Sequence, residues 1–254
     1  MIRIKVCNLS KKFDLDIAHN DGALAAFLRL LKAGEKQERQ ALQEVSFEAG
    51  SGEIIGLVGR NGSGKTTLLR ILGGIYLPDG GSVEINGKAV YLAGYAQGLV
   101  PKLTMLENIQ LVGTMRGLSP QDLRRKLDEI IAFSGLEEYT HIKVYQFSSG
   151  MINRLAFSTT IHSIEKHNPD ILLIDEALGS SGDIDFQEKA MQKLNEFVRK
   201  SSAVILASHR LGIIRKYCNR ALWIEKGQIQ KSGNPDDVVN DYVFSKKEQT
   251  TSIK

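Results

Sequence analysis

Long hydrophobic runs are missing from this sequence of 254 residues. No apolar stretch approaches the ~20 residues that a membrane-spanning helix needs, and residues 1–5 lack the apolar centre of a signal peptide. Internal repeats, low-complexity tracts and an obvious linker are also absent. With 42% hydrophobic and 24% charged residues, the composition is that of an ordinary globular protein. We therefore expect one compact unit that stays in the cytosol.

Cysteine and the signatures of nucleic-acid binding are scarce or absent too. Cys7 and Cys218 are far apart and lack metal-type spacing, which predicts reduced structural thiols. The net charge is only +4, and the sequence has no basic run with interleaved aromatics and no RRM, zinc-finger or helix-turn-helix pattern. We therefore expect no nucleic-acid partner. Residues 1–41 carry eight Lys/Arg against five Asp/Glu, an excess that suits an anionic membrane surface.

One glycine-rich stretch organises the rest of the chain. Gly59-Arg60-Asn61-Gly62-Ser63-Gly64-Lys65-Thr66 fits the P-loop pattern. An apolar run, Ile54–Val58, precedes it and predicts a buried strand, while residues 67–72 predict a helix. Strand, loop and helix together predict a polyphosphate cradle rather than a chance turn, because glycines let backbone N–H groups point inward at the positive end of the helix. Lys65 would reach the β- and γ-phosphates, and the Thr66 hydroxyl would be a Mg²⁺ ligand.

Reactive side chains follow two further apolar runs. Residues 171–174 are followed by Asp175 and Glu176, and residues 203–207 precede His209. Ligands bind at the carboxyl ends of parallel strands, so we expect these side chains beside the P-loop. Asp175 would hold Mg²⁺, Glu176 would activate the attacking water, and His209 would hydrogen-bond the γ-phosphate. The alternatives are acidic residues that cap a strand and a structural histidine.

The middle of the chain is predicted to be helical. Residues 104–118 and 120–133 predict helices with Thr104 and Ser119 as N-caps, which indicates a helical subdomain inserted in an α/β core. Another helix opens at Phe147-Ser148-Ser149-Gly150-Met151. Its hydroxyls and glycine amide predict a second anion site, or else a plain helix cap. Two half-sites for one nucleotide suggest a dimer with shared sites.

The two ends of the chain predict strands. Residues 2–6 alternate apolar and polar side chains, which predicts an edge strand, and residues 41–47 predict a second strand. Between them, one face of a short amphipathic helix either packs on the domain or faces a membrane or partner; it carries Leu24, Phe27, Leu28 and Leu31. Later, residues 186–197 carry a helical apolar stripe, and a hairpin is predicted around residues 225–228.

Taken in order, these motifs resemble those of ABC-type ATPases. The corresponding stretches are Walker A at Gly59–Thr66, the signature at Phe147–Met151, Walker B at Ile171–Glu176, the D-loop near Gly182-Asp183 and the switch histidine at His209. The sequence more closely resembles the ATP-binding subunits of bacterial exporters for surface polysaccharides, which carry O-antigen, capsule or teichoic acid. The amino-acid sequence matches that branch at residues 148–151, 175–183, 208–211 and 223–227. The resemblance covers nearly the whole chain.

The resemblance implies an α/β P-loop NTPase fold: an ABC-type ATPase core with an N-terminal antiparallel β subdomain and an α-helical subdomain inserted at residues 95–165. A single domain would cover residues 1–244, followed by a polar tail at residues 245–254. Two copies would bind ATP and Mg²⁺ head to tail at their interface. The dimer would dock on integral-membrane permease subunits at the cytoplasmic face of the inner membrane and power export of a lipid-linked polysaccharide.

The resemblance also assigns residues to each role. The catalytic residues would be Glu176, His209 and Lys65. The metal ligands would be Thr66, Asp175 and Gln97. The nucleotide would be bound by Phe13, Gly59, Asn61, Gly62, Ser63, Gly64, Lys65, Thr66 and Thr67, and across the interface by Ser148, Ser149 and Gly150. Phe13 would stack on adenine, with core packing as its alternative.

Some positions depart from the family pattern. The common signature is Leu-Ser-Gly-Gly-Gln; here Ser148 and Gly150 remain and the other three positions differ. Alignment by Pro101 places Tyr95 where the family has its Q-loop glutamine, with Gln97 displaced nearby. The competing interpretations are an importer subunit or a soluble ABC ATPase of DNA repair or translation, although the latter usually carries two cassettes or a long coiled-coil insertion. Some relatives add a C-terminal glycan-binding domain; with the sequence ending at Lys254, we expect no reading of the sugar by this chain.

Overall fold

A computed structural model describes residues 1–15, 37–93, 98–166, 168–175, 184–200 and 202–251. Within these ranges the chain forms nine strands and seven α-helices. The strands are β1 (Ile2–Leu15), β2 (Gln37–Gly50), β3 (Ile54–Val58), β4 (Gly80–Ile85), β5 (Ala89–Ala93), β6 (Ile171–Asp175), β7 (Ala203–Ala207), β8 (Arg220–Glu225) and β9 (Gln228–Gly233). The helices are α1 (Lys65–Leu72), α2 (Met105–Met115), α3 (Pro120–Ser134), α4 (Ser149–Glu165), α5 (Ile184–Arg199), α6 (Leu211–Tyr217) and α7 (Pro235–Thr251).

A six-stranded sheet in the order β5-β6-β7-β3-β8-β9 forms the centre of the molecule. All neighbours pair in parallel except β8 and β9, which form the predicted hairpin. Every residue of β3, β6 and β7 is buried. Alternate residues of β3 enter different clusters, with Ile54 on one face of the sheet and Ile55 on the other. Burial on both faces explains why these strands are continuous apolar runs in the sequence.

The second sheet is antiparallel and has the order β2-β1-β4. It covers α1 and one face of the central sheet, with Leu9, Leu42 and Val45 in the same apolar cluster as Leu68 and Leu69. The prediction of an edge strand at residues 2–6 is wrong, because β1 lies between β2 and β4. Its alternating pattern reflects one buried and one exposed face, which a central strand of an antiparallel sheet also has.

The helices α2 and α3 and the first turns of α4 pack around an apolar cluster of their own, which includes Met105, Ile109, Ile130 and Leu155. Both predicted N-caps are confirmed. The side chains of Thr104 and Ser119 each accept a hydrogen bond from the N–H three residues on, and the acidic side chain at that position accepts one from the N–H of the capping residue. These capping boxes fix where the two helices begin.

The C-terminal part completes the other face of the central sheet. The predicted apolar stripe lies on α5, where Phe186, Ala190, Leu194 and Phe197 are all buried. The last helix, α7, continues to Thr251, so residues 245–251 of the expected polar tail are helical. Over the described ranges, no helix combines the length and hydrophobicity that crossing a bilayer requires. The predicted amphipathic helix at residues 24–31 lies outside the described residues.

Candidate functional site

The loop between β3 and α1 is pressed against neighbouring backbone. At Gly64, φ is +113°, and a Cβ atom there would lie 2.6 Å from the carbonyl oxygen of Ala41. At Gly59, a Cβ atom would lie 2.2 Å from the carbonyl oxygen of Ile224. No side chain fits at either position, which is why the loop needs glycine there. The loop is thereby held in a tight wrap at the start of α1.

Lys65 begins α1 and its side chain turns back over the loop. Only 5% of this residue is exposed. Its ammonium donates hydrogen bonds to the carbonyl oxygens of Gly59 at 2.8 Å and Arg60 at 3.0 Å. Nearby, the hydroxyl of Ser63 is buried without a hydrogen-bond partner among the described residues. A buried ammonium and an unpartnered hydroxyl are groups that an anionic ligand would satisfy.

A cavity of about 490 Å³ opens over this loop. Its volume falls in the range of roughly 300–1,000 Å³ that is usual for small-molecule sites. The lining residues are Phe13, Arg39, Ala41 and the run from Asn61 to Thr67. Phe13 packs edge-on against Tyr76, with ring centroids 5.3 Å apart, and is only partly buried. The structure therefore brings the predicted aromatic and the predicted phosphate cradle to one cavity.

Arg39 in this lining was not predicted from the sequence. It lies on β2 directly opposite Phe13 in the β1–β2 ladder, so these two residues face the same opening. Its place in the cavity depends on the register between two strands that are separated by a long insert in the sequence. The signal in the sequence, a single arginine before an apolar strand, does not distinguish Arg39 from other surface arginines.

Thr66 and Asp175 meet at the edge of the central sheet. Asp175 is the last residue of β6, and only 8% of it is exposed. The Thr66 hydroxyl donates a hydrogen bond to Asp175 Oδ1 at 3.2 Å. The proximity of these two predicted metal ligands is therefore confirmed, whereas the metal itself stays a prediction.

Tyr91 on β5 completes the surroundings of that carboxylate. Its hydroxyl donates a hydrogen bond to Asp175 Oδ2 at 3.0 Å. Burial of the phenol, together with the adjacent negative charge, raises the pKa of Tyr91 to about 12. The phenol is therefore a proton donor at neutral pH. No motif in the sequence marks Tyr91.

The donor set at this edge fits a magnesium ion that keeps several waters. Among the residues that the structure describes, no group of three or more His, Cys, Asp or Glu side chains converges. Asp175 and Thr66 supply one carboxylate and one hydroxyl, and Mg²⁺ is commonly held by one or two carboxylates plus substrate phosphates and water. Gln97 and Glu176, the other residues predicted at this edge, lie outside the described residues.

His209 and the 148–150 stretch lie apart from the cavity lining. His209 follows β7, whose last residue pairs with Asp175, and its side chain is exposed. Ser148 is the N-cap of α4, and its hydroxyl accepts a hydrogen bond from the Met151 N–H at 3.2 Å. Ser148 and Ser149 are exposed. The structure thus presents the second predicted anion site as an open helix N-terminus.

A mainly parallel sheet with a glycine-rich loop, a buried lysine and a threonine–aspartate contact at its carboxyl edge defines a P-loop nucleotide-binding fold. Comparison with known proteins extends this assignment. The family model described as ABC transporter matches residues 42–179. The chain therefore belongs to the ABC transporter family.

Individual relatives agree with this membership. The chain is 38% identical over 253 residues to a protein of Bacillus anthracis named teichoic acids export ATP-binding protein TagH, covering 99% of this chain and 44% of that protein. It is 36% identical over 202 residues to the Klebsiella pneumoniae protein named O-antigen export system ATP-binding protein RfbB, covering 80% of each. A Myxococcus xanthus protein of the latter name is 38% identical, with 85% of this chain and 49% of that protein covered. The chain thus spans about half the length of several curated relatives that it matches.

Solved structures confirm the predicted fold class. A dimeric ATP-binding cassette in a post-hydrolysis state bound to ADP and Pi superposes with a TM-score of 0.71 at 23% identity, covering 91% of this chain and 98% of that one. A second dimeric bacterial ABC transporter cassette gives a TM-score of 0.70 at 24% identity, with the same coverage. The architecture of a central mixed sheet, an antiparallel sheet and a helical layer is therefore that of an ABC cassette.

Proposed function

We propose that this chain is the ATP-hydrolysing subunit of a system that exports a lipid-linked surface polysaccharide through a separate membrane permease. The contact between Thr66 and Asp175 beside the buried Lys65 carries the first half of the proposal, because it is the arrangement that binds a metal–polyphosphate complex. The names of the relatives, which refer to export of teichoic acid and O-antigen, support the second half.

The P-loop half of the site would bind ATP with little rearrangement of its backbone. Loop N–H groups and the N-terminus of α1 would receive the phosphates. Lys65 would exchange its two carbonyl partners for phosphate oxygens, a gain because a negatively charged oxygen attracts the ammonium more strongly than a neutral carbonyl oxygen does. Phe13 would offer its ring face to adenine, and Arg39 opposite it would balance phosphate charge. Mg²⁺, when bound beside Thr66 and Asp175, would neutralise charge on the β- and γ-phosphates.

The second half of the site would come from another copy of the chain. In one copy, Ser148 and Ser149 are exposed and Gly150 is partly buried at the N-terminus of α4, and none of the three lines the cavity. A two-fold axis would place this helix end of each copy opposite the P-loop cavity of the other, which would complete two sites at once. Because these contacts exist only in the closed dimer, ATP would favour closure and hydrolysis would release it. The dimeric state of the two solved cassettes supports this arrangement.

The hydrolytic step would use side chains at the same sheet edge. Glu176, directly after Asp175, would act as general base for the attacking water. His209 would hydrogen-bond the γ-phosphate and hold that water, since it follows the strand that pairs with β6. Gln97, four residues after β5 ends, would be a further metal contact. Catalysis would rest mainly on positioning and on stabilising charge.

Transport would require docking on a partner that crosses the membrane. The helical region 104–133, with the neighbouring loop at residues 98–103, presents apolar surface for this purpose, with Val100 39% and Met115 70% exposed. Association of the chain with the cytoplasmic face of the inner membrane would follow from that docking.

The test combines turnover with partner capture in a Glu176→Gln variant. Loss of a general base should lower ATP turnover about 10²- to 10⁴-fold while ATP binding is kept. A tagged variant purified from native membranes with ATP should bring down a polytopic membrane protein in stoichiometric amount, and wild-type protein without ATP serves as the control. Near-normal hydrolysis would remove Glu176 from its role. Recovery without a membrane protein, or with ribosomes or DNA, would contradict the export function.

A further inference from the structure

The Asp175 carboxylate is held from two sides. Thr66 donates to Oδ1 at 3.2 Å, and Tyr91 donates to Oδ2 at 3.0 Å. One donor comes from α1, and the other comes from β5, the strand that pairs with β6. With 8% exposure, Asp175 has little access to water that could replace either bond. The orientation of its carboxylate plane is therefore determined by these two neighbours.

Arg70 on α1 is a neighbour of Tyr91. The positive charge of its guanidinium acts on the Tyr91 phenol and opposes the rise in the Tyr91 pKa, and the guanidinium donates a hydrogen bond to the Tyr76 hydroxyl at 2.9 Å. An ionised carboxylate can only accept, so the single proton of the Tyr91 hydroxyl points to Asp175. In the relay from Arg70 through Tyr91 to Asp175, the direction of the last bond is thus fixed by the chemistry of the groups.

We propose that Tyr91, backed by Arg70, is a positioning residue that orients the Asp175 carboxylate toward the metal of the nucleotide site. With Oδ2 occupied by the phenol, Oδ1 is the oxygen that faces Thr66, the other proposed ligand. Partners of this kind fix the orientation of a ligating group and commonly change metal affinity 10- to 100-fold. The inference rests on the proposed function, because it assumes that a metal–nucleotide complex binds here.

The neighbouring Tyr76 provides a matched control. Its hydroxyl also bonds Arg70, and its ring packs against Phe13, but its hydroxyl makes no hydrogen bond to Asp175 among those described. A Tyr76→Phe change therefore removes the same chemical group from the same arginine, whereas Tyr91→Phe also removes a donor from the metal-side carboxylate. Comparing the two separates metal orientation from general packing.

The experiment measures metal binding separately from turnover. Mn²⁺ affinity is measured by electron paramagnetic resonance with a non-hydrolysable ATP analogue, and affinity for a fluorescent ATP analogue is measured in EDTA. Tyr91→Phe should weaken Mn²⁺ binding about 10-fold or more and change the EDTA affinity less than about two-fold, since the P-loop contacts remain. Tyr76→Phe should resemble wild type. Arg70→Gln should weaken Mn²⁺ binding in the same direction as Tyr91→Phe, but less.

The outcomes distinguish a failure of the positioning role of Tyr91 from a failure of the proposed ATPase function. Wild-type Mn²⁺ affinity in a folded Tyr91→Phe protein, with a normal melting temperature, would overturn the positioning role alone. An equal loss in Tyr76→Phe would overturn it as well, because the effect would then arise from packing around Arg70. If wild-type protein itself bound nucleotide no more tightly with metal than without, the proposed ATPase function would fail and this inference with it. Should Tyr91→Phe fold poorly, a wild-type affinity in Arg70→Gln would refute the relay.

Discussion

Ser148 combines a structural and a proposed functional role, and substitutions can separate the two. Its hydroxyl oxygen accepts a hydrogen bond from the Met151 N–H and so caps the 17-residue helix α4. In the proposed dimer, the same hydroxyl would donate to the γ-phosphate of ATP on the other copy. Alanine removes both interactions. Aspartate keeps the cap, because it is as good an N-cap as serine, but places a negative charge where the phosphate would lie.

The expected stability changes follow from the cap alone. Ser148→Ala should cost about 1 kcal/mol, the usual price of losing an N-cap side chain, which corresponds to a fall of roughly 2–4 °C in melting temperature for a chain of this size. Ser148→Asp should leave the melting temperature unchanged or slightly higher, since an acidic group is favourable at a helix N-terminus. The exposed position of Ser148 leaves room for the larger side chain.

The expected activity changes do not follow the stability changes. Charge repulsion with the γ-phosphate should reduce the ATPase rate of Ser148→Asp about 100-fold or more, the scale of losing one transition-state donor. Thermal unfolding and phosphate release are measured on the same preparations. Ser119→Ala is the control, because it removes an equivalent cap from α3; it should lose stability and keep its rate. A fully active Ser148→Asp protein would refute the proposed phosphate contact.

Two other changes test the geometry of the loop and of the core. Gly64→Ala forces an L-residue to φ +113° with its Cβ 2.6 Å from a carbonyl oxygen, so it should lower the free energy of unfolding by about 2 kcal/mol or more and weaken nucleotide binding. Gly74→Ala, at φ +71° with no atom within 4 Å, should lose less stability and bind nucleotide normally. Equal losses of stability in urea melts would contradict the steric argument. Burial lowers the pKa of His162, which hydrogen-bonds the Ser158 carbonyl and lies near Glu165 and two lysines. As the pH falls, the unfolded chain therefore binds a proton at this residue before the folded chain does. Stability should consequently fall as the pH drops below about 6.5. In His162→Asn, urea melts at pH 7.5 and 5.5 should show a smaller difference than in wild type; an unchanged difference would show that another group is responsible.

The parts of the fold that could be predicted are those where local pattern and burial agree. The buried strands at residues 54–58 and 203–207 have the bounds that the apolar runs predict, because both faces of the central sheet are covered. The strand β1 was predicted only as far as Val6, yet it continues to Leu15. Its ladder with β2 has register shifts between Val6 and Lys12, and each shift interrupts the two-residue alternation on which the prediction relied.

The candidate site shows a similar division. Residues in the P-loop motif and at the ends of apolar runs could be identified, because the chemistry requires those types at that spacing. Arg39 and Tyr91 could not, since each enters the site through pairing with a strand distant in sequence: β1 for Arg39 and β6 for Tyr91. Strand register is a tertiary property, and a single sequence does not specify which residue a side chain will face across a ladder.

The separation of the two half-sites constrains how ATP can act. The P-loop cavity is built on the central sheet, while Ser148 begins a helix whose first turns pack in the separate cluster around Ile109 and Ile130. A nucleotide that contacted only the P-loop would bind separate copies and the closed dimer equally and would not shift the equilibrium between them, however tight its binding. In the proposed dimer, the part of ATP that shifts the equilibrium would therefore be the γ-phosphate, which would reach Ser148 and Gly150 and which ADP lacks. In the Ser148→Asp variant ATP should accordingly still bind but no longer favour the dimer, so that ATP and ADP would give the same sedimentation profile.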